Sequence, residues 1–242
     1  MCVNDVLCHG ARPLFFLDYL ACSQLDADVS AQLVSGVVAG CKQAGAALVG
    51  GETAEMPGFY APGDYDMAGF AVGVVEKDAI IDGSAIRSGD RVIALPSSGL
   101  HSNGFSLVRA LFKDDFSPEL LTPTRIYVPE ILALLDKKVK LHGLANITGG
   151  GLEENVPRII PEGLTAQIEK SKVRILDIFR RSEFDAVSEP EMWGTFNMGV
   201  GFVLVVPPEE LPQIQAIVPD AYEIGEIKAQ IPEQQGNKIC LR

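Results

Sequence analysis

Between two short apolar runs, Leu14-Phe15-Phe16-Leu17 and Ala46 to Val49, the residues Val29, Leu33, Val37 and Cys41 recur every four positions, with Val34 and Val38 beside them. That spacing lines one face of an α-helix, whereas short continuous apolar runs suit buried strands. Asp26-Ala27-Asp28 opens the helical segment and Gly45 stops it. A chain that begins strand, helix, strand is committed to layers of helix and sheet.

The alternation continues. Tyr65 to Val75 reads as a strand in which Gly69 and Gly73 permit a bend or a close backbone approach. Glu76 to Arg91, with Asp82-Gly83 and Ser88-Gly89-Asp90 as turn signals, is the expected boundary between two domains, residues 1–80 and 81–242. Beyond it the spacing predicts a strand over Arg91 to Leu95, helices over Asn103 to Phe112 and Tyr127 to Leu135, and a strand over Gly143 to Ile147. Gly199 to Val206 is a further strand, closed by Pro207-Pro208, and Pro208 to Val218 is helical despite Pro212. The expected class is α+β, built from α/β layers; periodicity alone does not separate α/β from α+β.

Charge excludes two classes of partner. With 20 Lys+Arg against 32 Asp+Glu the net charge is −12, which repels a nucleic-acid backbone or an anionic membrane, and no local basic patch offsets it. The longest apolar stretch, Gly199 to Pro208, is too short to span a bilayer, and Met1-Cys2-Val3-Asn4-Asp5 carries no basic secretion signal. A cytoplasmic protein with neither a nucleic-acid nor a membrane partner is expected. Cys2, Cys8, Cys22, Cys41 and Cys240 form no CxxC pair and have no zinc-spaced histidine, so they read as reduced thiols.

Three segments could carry chemistry. In Gly50-Gly51-Glu52-Thr53-Ala54-Glu55-Met56-Pro57-Gly58 a buried strand runs into paired glycines and two carboxylates three apart. Glycines admit a ligand close to the backbone, and carboxylates suit Mg²⁺, although a solvated acidic turn would look the same. Ser97-Ser98-Gly99-Leu100-His101-Ser102-Asn103-Gly104 lies between a strand and a helix, where backbone amides favour anions. Phe105 stands where a Walker A lysine belongs, so that motif fails. His101 could donate to a phosphate or shuttle a proton, or be structural. Asn146-Ile147-Thr148-Gly149-Gly150-Gly151-Leu152-Glu153-Glu154-Asn155 repeats the strand, glycine, helix order. Three glycines are costly to fix, and close approach of a phosphate would account for them. Two such loops in one chain suggest a polyanionic ligand, with Mg²⁺ offsetting its charge in an acidic protein.

At these residues the chain resembles a family, the phosphoribosylformylglycinamidine cyclo-ligases or aminoimidazole ribonucleotide synthetases. The resemblance rests on Met1 to Asp5, Pro13 to Tyr19, Gly50 to Pro57, Ser97 to Ser106, Leu121 to Tyr127, Ile147 to Gly151, Glu154 to Arg158 and Thr195 to Gly201, in family order. It implies the two-domain aminoimidazole ribonucleotide synthetase-like fold and a homodimer whose N-terminal halves pair. The implied reaction is ATP-dependent cyclisation of formylglycinamidine ribonucleotide, with release of ADP and phosphate, in purine biosynthesis.

By matching motif, Asp5 and Glu52 would be carboxylates at the metal and nucleotide, with Asn4, Gly50 and Gly51 beside them. His101 and Asn103 would lie at the reacting groups, Thr148, Gly149, Gly150 and Gly151 would form a second phosphate loop, and Arg125 would meet a substrate anion. The resemblance also implies an incomplete N-terminal domain, because family members carry an Asp-Gly-Val-Gly-Thr-Lys loop upstream of the block matching Met1. Asn146 stands in place of a family histidine and Met198 in place of a common cysteine. An inactive or incomplete fragment that acts only as a binding or dimerisation module is the alternative; sibling enzymes of the superfold match these blocks less specifically.

Overall fold

The computed structural model describes residues 1–113, 117–231 and 236–242. The chain divides into two compact units: Cys2–Ile80 with Ile126–Leu132, and Met1 with Ile81–Arg125 and Ala133–Arg242.

The smaller unit holds a three-stranded sheet in the order β2-β1-β3. Its strands are β1 (Arg12–Cys22), β2 (Ala47–Glu55) and β3 (Tyr65–Val74), with helices α1 (Cys2–Leu7) and α2 (Ala27–Ala44). The ends of α2 are fixed locally. Asp26 accepts from the amides of Asp28 and Val29, and Gly45 closes the helix in the left-handed conformation at φ 63°. The crossover through α2 brings β2 parallel to β1, while β3 returns antiparallel.

Helices pack against β1, β2 and β3 on the side that carries Phe16, where Gly69 leaves room for the Phe16 ring: a Cβ there would lie 2.2 Å from it. Leu17 is paired with Phe70 and Phe15 with Val72, so these four share the opposite side. Phe70 is 60% exposed and Val72 40%, which leaves that side open.

The strand expected to be buried over Ala46 to Val49 proves longer and largely exposed, with Val49 at 58%. β2 runs through the glycine pair to Glu55, paired with β1 as far as Cys22. Glu52 and Glu55 therefore lie within a strand, and an odd separation places them on opposite sides of it. Parallel pairing overrides the local stop signal of two glycines, and the register shift beside Gly50 absorbs the irregularity.

The larger unit is built on a six-stranded sheet in the order β5-β7-β4-β8-β6-β9. Its strands are β4 (Arg91–Pro96), β5 (Gly143–Asn146), β6 (Leu164–Ile168), β7 (Val200–Val206), β8 (Tyr222–Ala229) and β9 (Ile239–Leu241). All pairings are antiparallel except β6 with β9, which makes the class α+β. Every residue of β7 is buried, as its unbroken, valine-rich run without a polar residue requires. Val92, Ala94, Val203 and Val205 join a core with Phe112, Leu152, Phe184, Trp193 and Phe196. The helices are α3 (Phe105–Phe112), α5 (Gly151–Asn155), α6 (Glu189–Thr195) and α7 (Leu211–Ile217), while α4 (Val128–Asp136) begins in the smaller unit's residues and ends in this unit's. No helix among the described residues is long and apolar enough to cross a membrane.

Candidate active site

The loop from Ser97 to Gly104 joins β4 to α3. His101, Ser102 and Gly104 all have positive φ, 55°, 58° and 74°. Two non-glycine residues held there signal a backbone that its surroundings over-determine. His101 is fully buried. Its Nε2 accepts from the amides of Ser98 at 2.9 Å and Arg125 at 3.3 Å. A ring nitrogen that accepts from N–H groups carries no proton. Burial, helped by the positive charges of the chain's amino terminus and Arg125, pushes the His101 pKa down to about 4. The imidazole is thus neutral at pH 7 and organises the loop as an acceptor. Asn103 closes the turn by donating to the His101 carbonyl at 2.7 Å. Arg125 reaches Asp220 at 2.6 Å, so its charge is paired within the protein.

The second loop, Thr148 to Gly151, joins β5 to α5. Gly150 and Gly151 take φ of 83° and 58°. A Cβ on Gly151 would lie 2.3 Å from the Trp193 carbonyl oxygen and 2.6 Å from that of Phe196, so only glycine fits. Asn155, 3% exposed, spans the loop from below. Its Nδ2 donates to the carbonyls of Gly151 at 2.8 Å and Gly149 at 3.1 Å, and its Oδ1 accepts from the Thr148 hydroxyl at 3.1 Å. Gly149 alone keeps an open side: a Cβ there would meet only Asn103 Oδ1, at 3.5 Å. The two glycine loops, far apart in sequence, therefore meet at Asn103 and Gly149. Glycine turns between a strand and a helix are suited to phosphate oxygens.

In the smaller unit, Asp5 is exposed on α1 and Glu52 is exposed on β2. Glu55 is committed to the Leu25 amide at 2.6 Å. Gly51 is explained by the sheet itself, since a Cβ would collide with the Asp18 carbonyl of β1 at 2.1 Å. Asn4 is fully buried and accepts from the Tyr127 amide at 3.1 Å, tying the start of α4 to α1. Among the described residues no three His, Cys, Asp or Glu side chains converge into a metal cage. Exposed carboxylates such as Asp5 and Glu52 are nonetheless hard oxygen donors. They fit Mg²⁺ as one or two protein ligands to an ion whose other ligands are phosphate and water.

Two residues of the site were not singled out by sequence reasoning: Asn155 and Asn197. Asn197 is 2% exposed and accepts from the Ser97 hydroxyl at 2.9 Å while donating to the Gly99 carbonyl at 2.8 Å. The available signal was a carboxamide next to buried apolar residues and glycines, where a polar group must find partners.

The chain thus presents two unequal units of mixed helix and sheet, the larger of which carries paired glycine loops. The profile of the AIR synthase related protein, N-terminal domain, matches residues 1–75, and that of the C-terminal domain matches residues 87–232. A phosphoribosylformylglycinamidine cyclo-ligase of Fusobacterium nucleatum is 53% identical across the whole chain, which spans 75% of that relative. One of Clostridium kluyveri is also 53% identical, with the same coverage of both chains. With both units matched and half of all positions identical, the chain belongs to the phosphoribosylformylglycinamidine cyclo-ligase family.

Solved structures extend the likeness in fold. The hydrogenase maturation protein HypE in complex with ATP superposes with a TM-score of 0.77 at 19% identity, over 99% of this chain and 73% of that one. A thiamine-monophosphate kinase complexed with AMPPCP and TMP gives 0.67 at 17%, with the same coverage.

Proposed function

We propose that the chain catalyses the ATP-dependent closure of formylglycinamidine ribonucleotide to aminoimidazole ribonucleotide. ATP transfers its terminal phosphoryl group to the formyl-derived amide oxygen, an internal nitrogen attacks the activated carbon, and phosphate departs with that oxygen. ADP and phosphate are the by-products. The observation that carries this reading is the meeting of the two glycine loops at Asn103 and Gly149 in a chain of this family. Thr148 and the amides of Gly149 and Gly150 hold phosphoryl oxygens, Gly151 shapes the turn by donating its amide to the Thr148 carbonyl, and Asn103 lies at the reacting groups. His101 serves the reaction as a neutral acceptor that fixes this loop. Asn4, Asp5, Gly50, Gly51 and Glu52 are the smaller unit's contribution to nucleotide binding, and the carboxylates of Asp5 and Glu52 would hold Mg²⁺. That ion offsets phosphate charge when it is bound.

The open sheet side around Phe70 and Val72 supports pairing of two copies, and the acidic composition is that expected of a cytoplasmic protein. The test is substrate-dependent ADP release with ATP and Mg²⁺, comparing the chain with Glu52→Ala. We expect turnover that falls by at least about tenfold in the variant, the equivalent of one charged contact. Equal rates in both proteins, or a folded chain that neither binds ATP in calorimetry nor releases ADP, would overturn the proposal.

A further inference from the structure

The two glycine loops rest on one short segment, Phe196-Asn197-Met198-Gly199, between α6 and β7. Asn197 holds the first loop directly. Its Oδ1 accepts from the Ser97 hydroxyl at 2.9 Å and the Gly199 amide at 2.8 Å, and its Nδ2 donates to the Gly99 carbonyl at 2.8 Å. The Ser97 amide donates in turn to the Gly199 carbonyl at 2.9 Å. Phe196, its neighbour, touches both loops. A Cβ on Gly104 would lie 2.3 Å from the Phe196 ring, and one on Gly151 would lie 2.6 Å from the Phe196 carbonyl oxygen. The ring itself is held by Phe184, centroids 5.3 Å apart, and by Phe179 at 5.6 Å.

Backbone conformation marks the same segment. Of the five non-glycine residues with positive φ among the described residues, three are His101, Ser102 and Met198. All three lie on the stretches that Asn197 joins. Such conformations persist only where surrounding contacts over-determine them, and here the Asn197 hydrogen bonds and the Phe196 packing act beside the bonds made by His101 Nε2 and Asn103. An apolar side chain would fill the Asn197 position without any desolvation cost, but it would leave the Gly99 carbonyl and the Ser97 hydroxyl without these partners.

We propose that Asn197 is a positioning residue that fixes the two phosphate loops relative to each other, the first by its own hydrogen bonds and the second through the backbone of Phe196. The proposal rests on the reading that both loops handle the phosphoryl group. The coupling itself can be tested without turnover.

The experiment is amide hydrogen exchange on the full chain, wild type against Asn197→Asp and Ser97→Ala. Asparagine to aspartate keeps the shape but turns an oxygen toward the Gly99 carbonyl. Exchange should accelerate by at least about tenfold in both Ser97–Gly104 and Thr148–Gly151, while β7 stays protected. Ser97→Ala, which removes one bond, should loosen the same two segments less and decides the matter if Asn197→Asp unfolds. Loosening confined to Ser97–Gly104 in a folded variant, or none at all, would overturn the coupling. In the ADP-release assay the same variants should lose kcat at saturating ATP by about tenfold or more, with the melting temperature of Ser97→Ala little changed. An unaltered kcat in variants with loosened loops would reduce Asn197 to a structural role. An inactive wild type would instead count against the reading of the reaction, leaving the exchange result to decide the coupling.

Discussion

Asn155 Nδ2 lies 2.8 Å from the carbonyl oxygen of Gly151, across the turn that the three glycines make. The same carboxamide holds Gly149 and Thr148, so one buried side chain replaces the contacts that a loop without Cβ atoms cannot make for itself. Asn155→Ala should destabilise the chain by about 1–3 kcal/mol, because loop carbonyls lose their donor in a buried place. Asn155→Asp should be at least as harmful, since it sets an anion against carbonyl oxygens. Both should weaken ATP binding more than a surface variant such as Gln213→Ala does. Thermal unfolding and calorimetric titration read the two effects; unchanged values in Asn155→Ala would remove Asn155 from the loop's support.

His101 makes the loop's stability depend on pH. Its pKa is about 4 in the folded chain against 6.5 for the free side chain, so between these values the unfolded chain binds more protons. The contribution is whole above pH 6.5, shrinks as the pH falls toward 4 and has no further slope below that. Its full size is up to about 3 kcal/mol. His101→Gln can still accept a hydrogen bond but does not titrate. The stability difference between wild type and His101→Gln should therefore change with pH across that window, as measured by denaturant unfolding at a series of pH values. A constant difference would mean that His101 titrates alike in both states.

Much of this fold could be read where the causes are local. α2 begins at Asp26 and ends at Gly45 because each residue satisfies backbone groups in its own turn, and β7 follows from a valine-rich run without a polar residue. β2 was harder: Gly50 and Gly51 look like a stop, and only pairing with β1 carries the strand to Glu55. In β8, Gly225 and the register shift opposite it blur the alternation of Ile224 and Ile227 with Glu223 and Glu226. The glycine loops were visible as composition. Their supports were not, because Asn197 meets Ser97 across 100 residues, and the burial of His101 is a property of the packed unit.

Phe70 offers the plainest test of self-association. It is 60% exposed in the middle of β3, opposite Leu17, and Val72 and Val74 along the same strand are 40% and 54% exposed. A sheet side this apolar is unusual on a chain that stays single, and the hydrophobic contribution of covering it grows with the area removed from water. A second copy offers the same surface, which a two-fold axis would make self-complementary. Phe70→Lys would place an unpaired ammonium at the centre of that contact. The dimer dissociation constant should rise by about thirtyfold or more, as for the loss of a central anchor worth 2 kcal/mol. Sedimentation over a concentration series measures it. The variant should keep the fold, since Phe70 points away from the helices that cover the other side. A wild type that sediments as a monomer throughout, or a Phe70→Lys variant that associates as tightly as the wild type, would show that this sheet side is not where two copies meet.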